Sequence, residues 1–231
     1  MDINKHKFFM MQILKDIYSD RELSVCLGFK GDTALMFFYN LPRFSVDLDF
    51  NLLDRSKEEA VFGKMRRILL KYGKIDDEAM KFYGPIIVLD YGAGERKLKV
   101  EISNREFDNH YEIKNLLGIE MKVMSLPDMF AHKLCALLDR SEVTNRDIFD
   151  CWFFLQRHTS INANIVEQRM GKTLDEYLQM CIKQLEATSD KNMLNGLGEL
   201  TDSKMKTFVR TKLRKETIQL LQFFKAFPTL A

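Results

Sequence analysis

GFKGDTALMFFYNLPRFSVDLDFNL, residues 28–52, holds the pattern that decides the fold. Its second half, RFSVDLDFN, alternates strictly. Phe44, Val46, Leu48 and Phe50 fall on one face, and Ser45, Asp47, Asp49 and Asn51 on the other, with the two-residue period of a β-strand. Upstream, SVCLGFK (24–30) alternates like a short strand. After Gly28 and Gly31, DTALMFFYN (32–40) reads as a helix whose first turn Asp32 or Thr33 can cap. The order is strand, glycine turn, helix, strand.

Working outward, residues 8–18 place Phe9, Ile13 and Ile17 on one helical stripe. Ser56 with Glu59 gives a capping-box pattern ahead of a helix carrying Ala60, Val61, Met65, Ile68 and Leu69, ending near Gly73. IIVLDY (86–91) and KLKVEIS (97–103) flank the glycine-bearing GAGE and read as an antiparallel hairpin, which makes the sheet mixed. From Ser125 onward every strong pattern is helical. The expected class is therefore α+β: a mixed sheet with helices over 1–122, then a C-terminal helical region over 123–231. No internal repeat interrupts it.

Hydrophobic residues make up 46% of the 231 and charged residues 29%, with 4 prolines and 11 glycines, a balance that folds rather than stays disordered. No apolar run reaches the length of a membrane span, and the first residues turn amphipathic at once, so a cytoplasmic protein without membrane attachment is expected. Cys26, Cys135, Cys151 and Cys181 lie far apart in apolar segments and read as buried free thiols. None of the four histidines has metal-site or nucleophile spacing, which removes zinc and serine-hydrolase chemistry. The net charge of +2 does not mark a nucleic-acid binder. The basic stretch Lys204, Lys206, Arg210, Lys212, Arg214 and Lys215 reads either as a solvated helix face or as a phosphate-binding surface.

The chemistry concentrates on carboxylates. Alternate strand residues project to one face about 7 Å apart, so Asp47 and Asp49 point the same way from an otherwise apolar strand. In KLKVEIS, Leu98, Val100 and Ile102 share one face and Lys99, Glu101 and Ser103 the other. If the two strands are neighbours, Glu101 becomes a third ligand, and three carboxylates suit a magnesium or manganese ion that also binds phosphate oxygens. The plain alternatives are a solvated face for the aspartates and an ion pair with Lys97 or Lys99 for Glu101. Lys30-Gly31-Asp32-Thr33 opens a helix, where free amides and the helix dipole attract phosphate.

Together, these residues resemble the signature of the AbiEii family of nucleotidyltransferase-like proteins: a lysine, two glycines, T-A-L, then R-F-S-x-D-L/I-D. KVEIS resembles that family's third-carboxylate strand. PDMFAHKLCALLDR and TNRDIFDCWFFL resemble its lysine helix and its R-D-x-x-D segment, so the likeness spans about 27–155. The resemblance implies a polymerase-β-like nucleotidyltransferase fold and the toxin of a toxin–antitoxin or abortive-infection system. Such a toxin moves a nucleotide from a nucleoside triphosphate to an acceptor hydroxyl, on tRNA, another RNA or a protein, with an antitoxin as partner. It also implies metal binding by Asp47 and Asp49 and phosphate contacts by Gly31 and its neighbours Lys30, Asp32 and Thr33. Glu101, Lys133 and Asp147 would complete the site.

One departure stands out: Asp32 replaces the second residue of the usual Gly-Gly or Gly-Ser pair. A carboxylate there opposes a triphosphate, and the alternative function is a catalytically impaired binding module for RNA or an antitoxin. Ser125 and Asp128 form a capping-box-like start, and Lys133 borders the apolar stripe through Leu126, Phe130, Leu134 and Leu137. It either covers apolar surface with its stem or contacts the triphosphate. Asp147 either completes a Thr144 helix start or serves the site. Arg43 and Arg146 either bind phosphate or pair with Asp147 and Asp150, one turn apart on one face.

Overall fold

The computed structural model describes residues 2–92, 94–139, 142–197 and 203–227. The chain divides into two compact units. One comprises 1–41, 45–106 and 111–124; the other comprises 42–44, 107–110 and 125–231.

The first unit carries α1 (Ile3–Ser19), α2 (Arg21–Cys26), α3 (Gly31–Tyr39) and α4 (Glu58–Leu69). Its strands are β1 (Leu27–Lys30), β2 (Leu48–Leu52), β3 (Lys74–Lys81), β4 (Gly84–Asp90), β5 (Leu98–Ser103), β6 (Tyr111–Leu116) and β7 (Ile119–Met124). They form one mixed sheet in the order β3-β4-β5-β2-β1-β7-β6. β2 runs parallel to β5 and β1 parallel to β7, while the remaining neighbours are antiparallel. Leu48, Phe50, Leu98, Val100 and Ile102 are buried, as are Met10, Ile13 and Ile17 of α1 and Val61, Met65 and Leu69 of α4. The alternation read from the sequence is thus a core face and a polar face, and the polar one bears the carboxylates.

Several local expectations are corrected. β2 starts at Leu48, so the alternation over 44–47 is not strand. The reason lies in distant side chains: the backbone oxygen of Val46 accepts from His6 Nε2 at 2.9 Å and that of Asp47 from the Thr33 hydroxyl, so side chains satisfy groups that a ladder would need. Ser24 to Cys26 close α2, which Asp20 caps through the amides of Glu22 and Leu23, and the strand begins only at Leu27. Neither Asp32 nor Thr33 caps α3; its N-cap is Lys30, whose side chain makes no capping bond to the helix. Asp54, not Ser56 with Glu59, makes the turn before α4, accepting from the Ser56 amide at 3.0 Å. In the connection between β4 and β5, Ala93 of the GAGE sequence lies outside the described residues.

The second unit is helical over α5 (Leu126–Asp139), α6 (Asn145–Leu155), α7 (Ala163–Met170), α8 (Leu174–Ala187), α9 (Ser203–Thr211) and α10 (Leu213–Ala226). α6 is its core: every residue from Asp147 to Leu155 is buried. Phe154 stacks on Phe130 of α5 with ring centres 4.9 Å apart, and Trp152 Nε1 donates to Glu216 of α10 at 2.9 Å. The four cysteines are buried and free. No described helix is long and apolar enough to cross a membrane.

Candidate nucleotidyltransferase site

Register places the chemistry. The parallel pairing of β2 with β5 sets Asp49 beside Glu101, and the antiparallel pairing of β1 with β2 sets Lys30 beside Asp49. Two carboxylates and a lysine thereby share adjacent positions on three neighbouring strands. Asp47 sits one residue before β2, where the Thr33 hydroxyl, itself 2.9 Å from Ser45 Oγ, holds its backbone oxygen. Lys99, two residues before Glu101 on the same face, places its ammonium 3.1 Å from Glu101 Oε2 and 3.8 Å from Asp47 Oδ2.

Gly31 fixes the floor of this arrangement. Its φ of +77° lies in the left-handed region, and a Cβ there would stand 2.6 Å from Asp49 Oδ2. A side chain at Gly31 would be strained by that φ and would collide with Asp49, so glycine suits the turn from β1 into α3 beside this carboxylate. Asp49 keeps some surface at the solvent. Burial nevertheless pushes its carboxyl up to about 6; Lys30 and Lys99 pull it down, while Asp47 and Glu101 push it further up. Burial opposes the charged form of Lys99, but Asp47 and Glu101 outweigh it and hold the ammonium above its ordinary value.

Among the described residues no group of three or more His, Cys, Asp or Glu stands close enough to hold a metal as it is. Lys99 bridges two of the three carboxylates. The donor chemistry still fits a hard divalent cation: the side chains are carboxylates without imidazole or thiolate, and one of them is desolvated with like charges beside it. Asp49 and Glu101, neighbours in register, with Asp47 beyond Lys99, are the residues that would hold it.

Two expected phosphate contacts are placed differently. Asp32 is 2% exposed and Thr33 fully buried, so neither side chain is presented to solvent, and the Thr33 hydroxyl is engaged by the Asp47 backbone and Ser45.

Lys133, Asp147 and Arg43 lie in the second unit. Arg43 is buried and donates to Asp150 through Nε at 2.9 Å and Nη2 at 2.8 Å, and Lys133 Nζ reaches Asp150 Oδ2 at 2.7 Å. Burial pushes the Asp150 carboxyl up, but Lys133 and Arg43 outweigh it and hold it below the ordinary range. The ion-pair reading of Arg43 therefore holds. Lys133 is tied at its charged end, 19% exposed, rather than covering apolar surface with a free tip. Asp147 accepts from the Thr144 hydroxyl at 2.6 Å while Thr144 caps α6 through the Asp147 amide, so the helix-start reading also holds. The Asp128 amide donates to Ser125 Oγ at 3.4 Å, as the capping-box-like start expects, while the Asp128 carboxylate accepts from the His110 amide and from Asn162 Nδ2 at 2.7 Å.

A family model described as "Nucleotidyl transferase AbiEii toxin, Type IV TA system" matches residues 12–226. The chain belongs to the AbiEii family. An AbiEii toxin is a nucleotidyltransferase and works against an antitoxin partner. No curated protein matches it. Two solved structures share its fold: JHP933 from Helicobacter pylori, with a TM-score of 0.60 at 20% identity over 97% of this chain and 92% of that one, and a candidate nucleotidyltransferase from H. pylori, with a TM-score of 0.63 at 20% identity over 96% and 94%.

Sequence reading did not give Lys99, Asp150 and His6 site roles. Lys99 was visible beside Glu101 in KLKVEIS, and Asp150 is the last residue of the R-D-x-x-D segment. Nothing in the sequence links His6 to Val46, forty residues away; the contact exists only in the fold.

Proposed function

We propose that this AbiEii toxin transfers a nucleotide from a nucleoside triphosphate to an acceptor hydroxyl on an RNA end, with magnesium or manganese held by Asp47, Asp49 and Glu101. The observation that carries the reading is the contact of Gly31 with Asp49 at a position paired with Lys30. The start of α3, a lysine position and a carboxylate are thus neighbours, which suits a metal-bound triphosphate that needs helix-terminal donors, positive charge and oxygen ligands together.

In the reaction, the acceptor oxygen forms a bond to the α-phosphorus as the bond to the bridging oxygen breaks. Pyrophosphate leaves with that electron pair. Magnesium, when bound, would neutralise charge on the phosphates and acidify the acceptor hydroxyl. Asp47 or Glu101 takes the hydroxyl proton, Lys30 and the amides of α3 orient the phosphates, and Lys99 shifts from the carboxylates toward phosphate oxygens. Thr33 and His6 hold the backbone of Asp47 and Val46, so that the Asp47 carboxylate is set before substrate arrives. Lys133 and Asp147 join this proposal through family resemblance, and Lys133→Ala tests it by raising the KM for the triphosphate.

The impaired-module alternative rests on Asp32, whose burial keeps its carboxylate from facing solvent. Incubation with each labelled triphosphate, magnesium and total cellular RNA tests the proposal. Labelled RNA that disappears with Asp47→Asn supports it; labelled toxin or antitoxin in place of RNA would overturn the choice of acceptor.

A further inference from the structure

The hairpin joining β3 to β4 carries Phe82, 88% exposed, and Tyr83, 58% exposed, with Met80 beside them at 49%. Large rings so open to water cost solubility and earn no core packing, so they mark a surface that meets something. The tip is built rather than loose. Gly84 has a φ of +107°, and a Cβ there would stand 2.1 Å from the Ile102 oxygen. The Asn104 amide donates to the Tyr83 oxygen at 3.1 Å. These contacts lock the hairpin onto the end of β5.

The two rings meet edge to face, 4.9 Å between centres, so each leaves a face uncovered by the other. Arg105 lies over Tyr83, its guanidinium carbon 5.0 Å from the ring centre. The Arg105 Nε is buried and has no hydrogen-bond partner among the described residues. A buried guanidinium donor left unpaired is costly unless an acceptor arrives, and a phosphate oxygen is the acceptor that guanidinium geometry suits best. An open pocket of about 330 Å³ is lined by Lys81, Phe82, Tyr83, Gly84, Ile86 and Glu101, so the two rings share it with one carboxylate of the proposed site.

We infer that the β3–β4 tip is a stacking platform for an unpaired base at the end of the acceptor RNA strand, with Lys81 and Arg105 holding its phosphates. The inference rests on the proposed transfer and deepens it, because the pocket that seats the base ends at Glu101. The rings accept any base by its face, the two cations complement the backbone, and a paired base offers no free face to the rings.

The test is fluorescence anisotropy of a short labelled single-stranded oligoadenylate, compared with the same strand annealed to its complement. Wild type should prefer the single strand, and Phe82→Ala with Tyr83→Ala should weaken its binding roughly tenfold or more. Arg105→Met should weaken it less and flatten its salt dependence. Leu117→Asn, at the exposed tip between β6 and β7, is the control and should bind as wild type does. Stabilisation by a magnesium–triphosphate mixture should persist in the double variant, so a failed platform is distinguishable from a failed donor site. Unchanged RNA affinity in the double variant, equal affinity for the duplex, or an equal loss in the Leu117 control would each overturn the inference.

Discussion

Replacing Asp49 by Asn should make the metal-free protein more stable and the liganded protein less so. Near neutral pH the ionised carboxyl is held against a pKa pushed from 3.8 to about 6 by burial, a penalty of about 3 kcal/mol at 1.36 kcal/mol per pKa unit. The neutral amide removes that penalty but still buries a polar group at about 1 kcal/mol, which leaves a gain of about 2 kcal/mol. For a chain of this length the gain corresponds to about 4–8 °C in melting temperature. The assay is thermal unfolding in a chelating buffer, repeated with magnesium and a triphosphate. Wild type should gain stability from the ligands by mass action, and Asp49→Asn should gain none. A variant that melts below wild type in chelator, or that keeps the full ligand-induced rise, would refute the reasoning that Asp49 is a desolvated ligand awaiting a cation.

Three further perturbations follow from the same geometry. Gly31→Ala forces a side chain into a left-handed φ and against Asp49 Oδ2, so transfer should fall sharply and melting temperature by several degrees, while Gly63→Ala, with open space around its Cβ, should be neutral or stabilising in the same assays. Arg43→Ala strips Asp150 of its bidentate partner inside the helical unit and should cost about 3–5 kcal/mol in urea unfolding, although Lys133 still pairs with the carboxylate. Burial lowers the pKa of His6 below 6.5, the native state thus favours the neutral ring, and protonation of the unfolded chain should erode stability as pH falls below about 6.5. His6→Gln should flatten that part of the pH–stability profile, and an unchanged slope would show that His6 is not its source.

Legibility in the sequence followed how far each signal reaches along the chain. The stretch 28–52 was readable because strand alternation and the glycine turn are local, and the residues matching the family signature sit inside them. Its limits came from long-range bonds: His6 and Thr33 claim the oxygens of Val46 and Asp47, and the strand stops short at Leu48. β3 gave no clean alternation because it is an edge strand, KIDDEAMK, mostly exposed and charged. The β6–β7 hairpin turns through Leu117 and Gly118, both at positive φ, and a leucine in that conformation gives no turn signal. The adjacency of Asp49 and Glu101 was conditional on a strand order that only the parallel β2–β5 pairing establishes. Lys133 and Arg43 were legible as charged residues near apolar stripes, but their common partner, Asp150, is a property of the packed helices.

The most direct test of nucleotidyl transfer uses two samples of one triphosphate, labelled at the α- or the γ-phosphorus, with magnesium and RNA. α-Label should pass to the RNA, γ-label should leave as pyrophosphate, and Asp49→Asn should abolish both. γ-Label on the RNA, or α-label transferred undiminished by the variant, would contradict the role assigned to Asp47, Asp49 and Glu101.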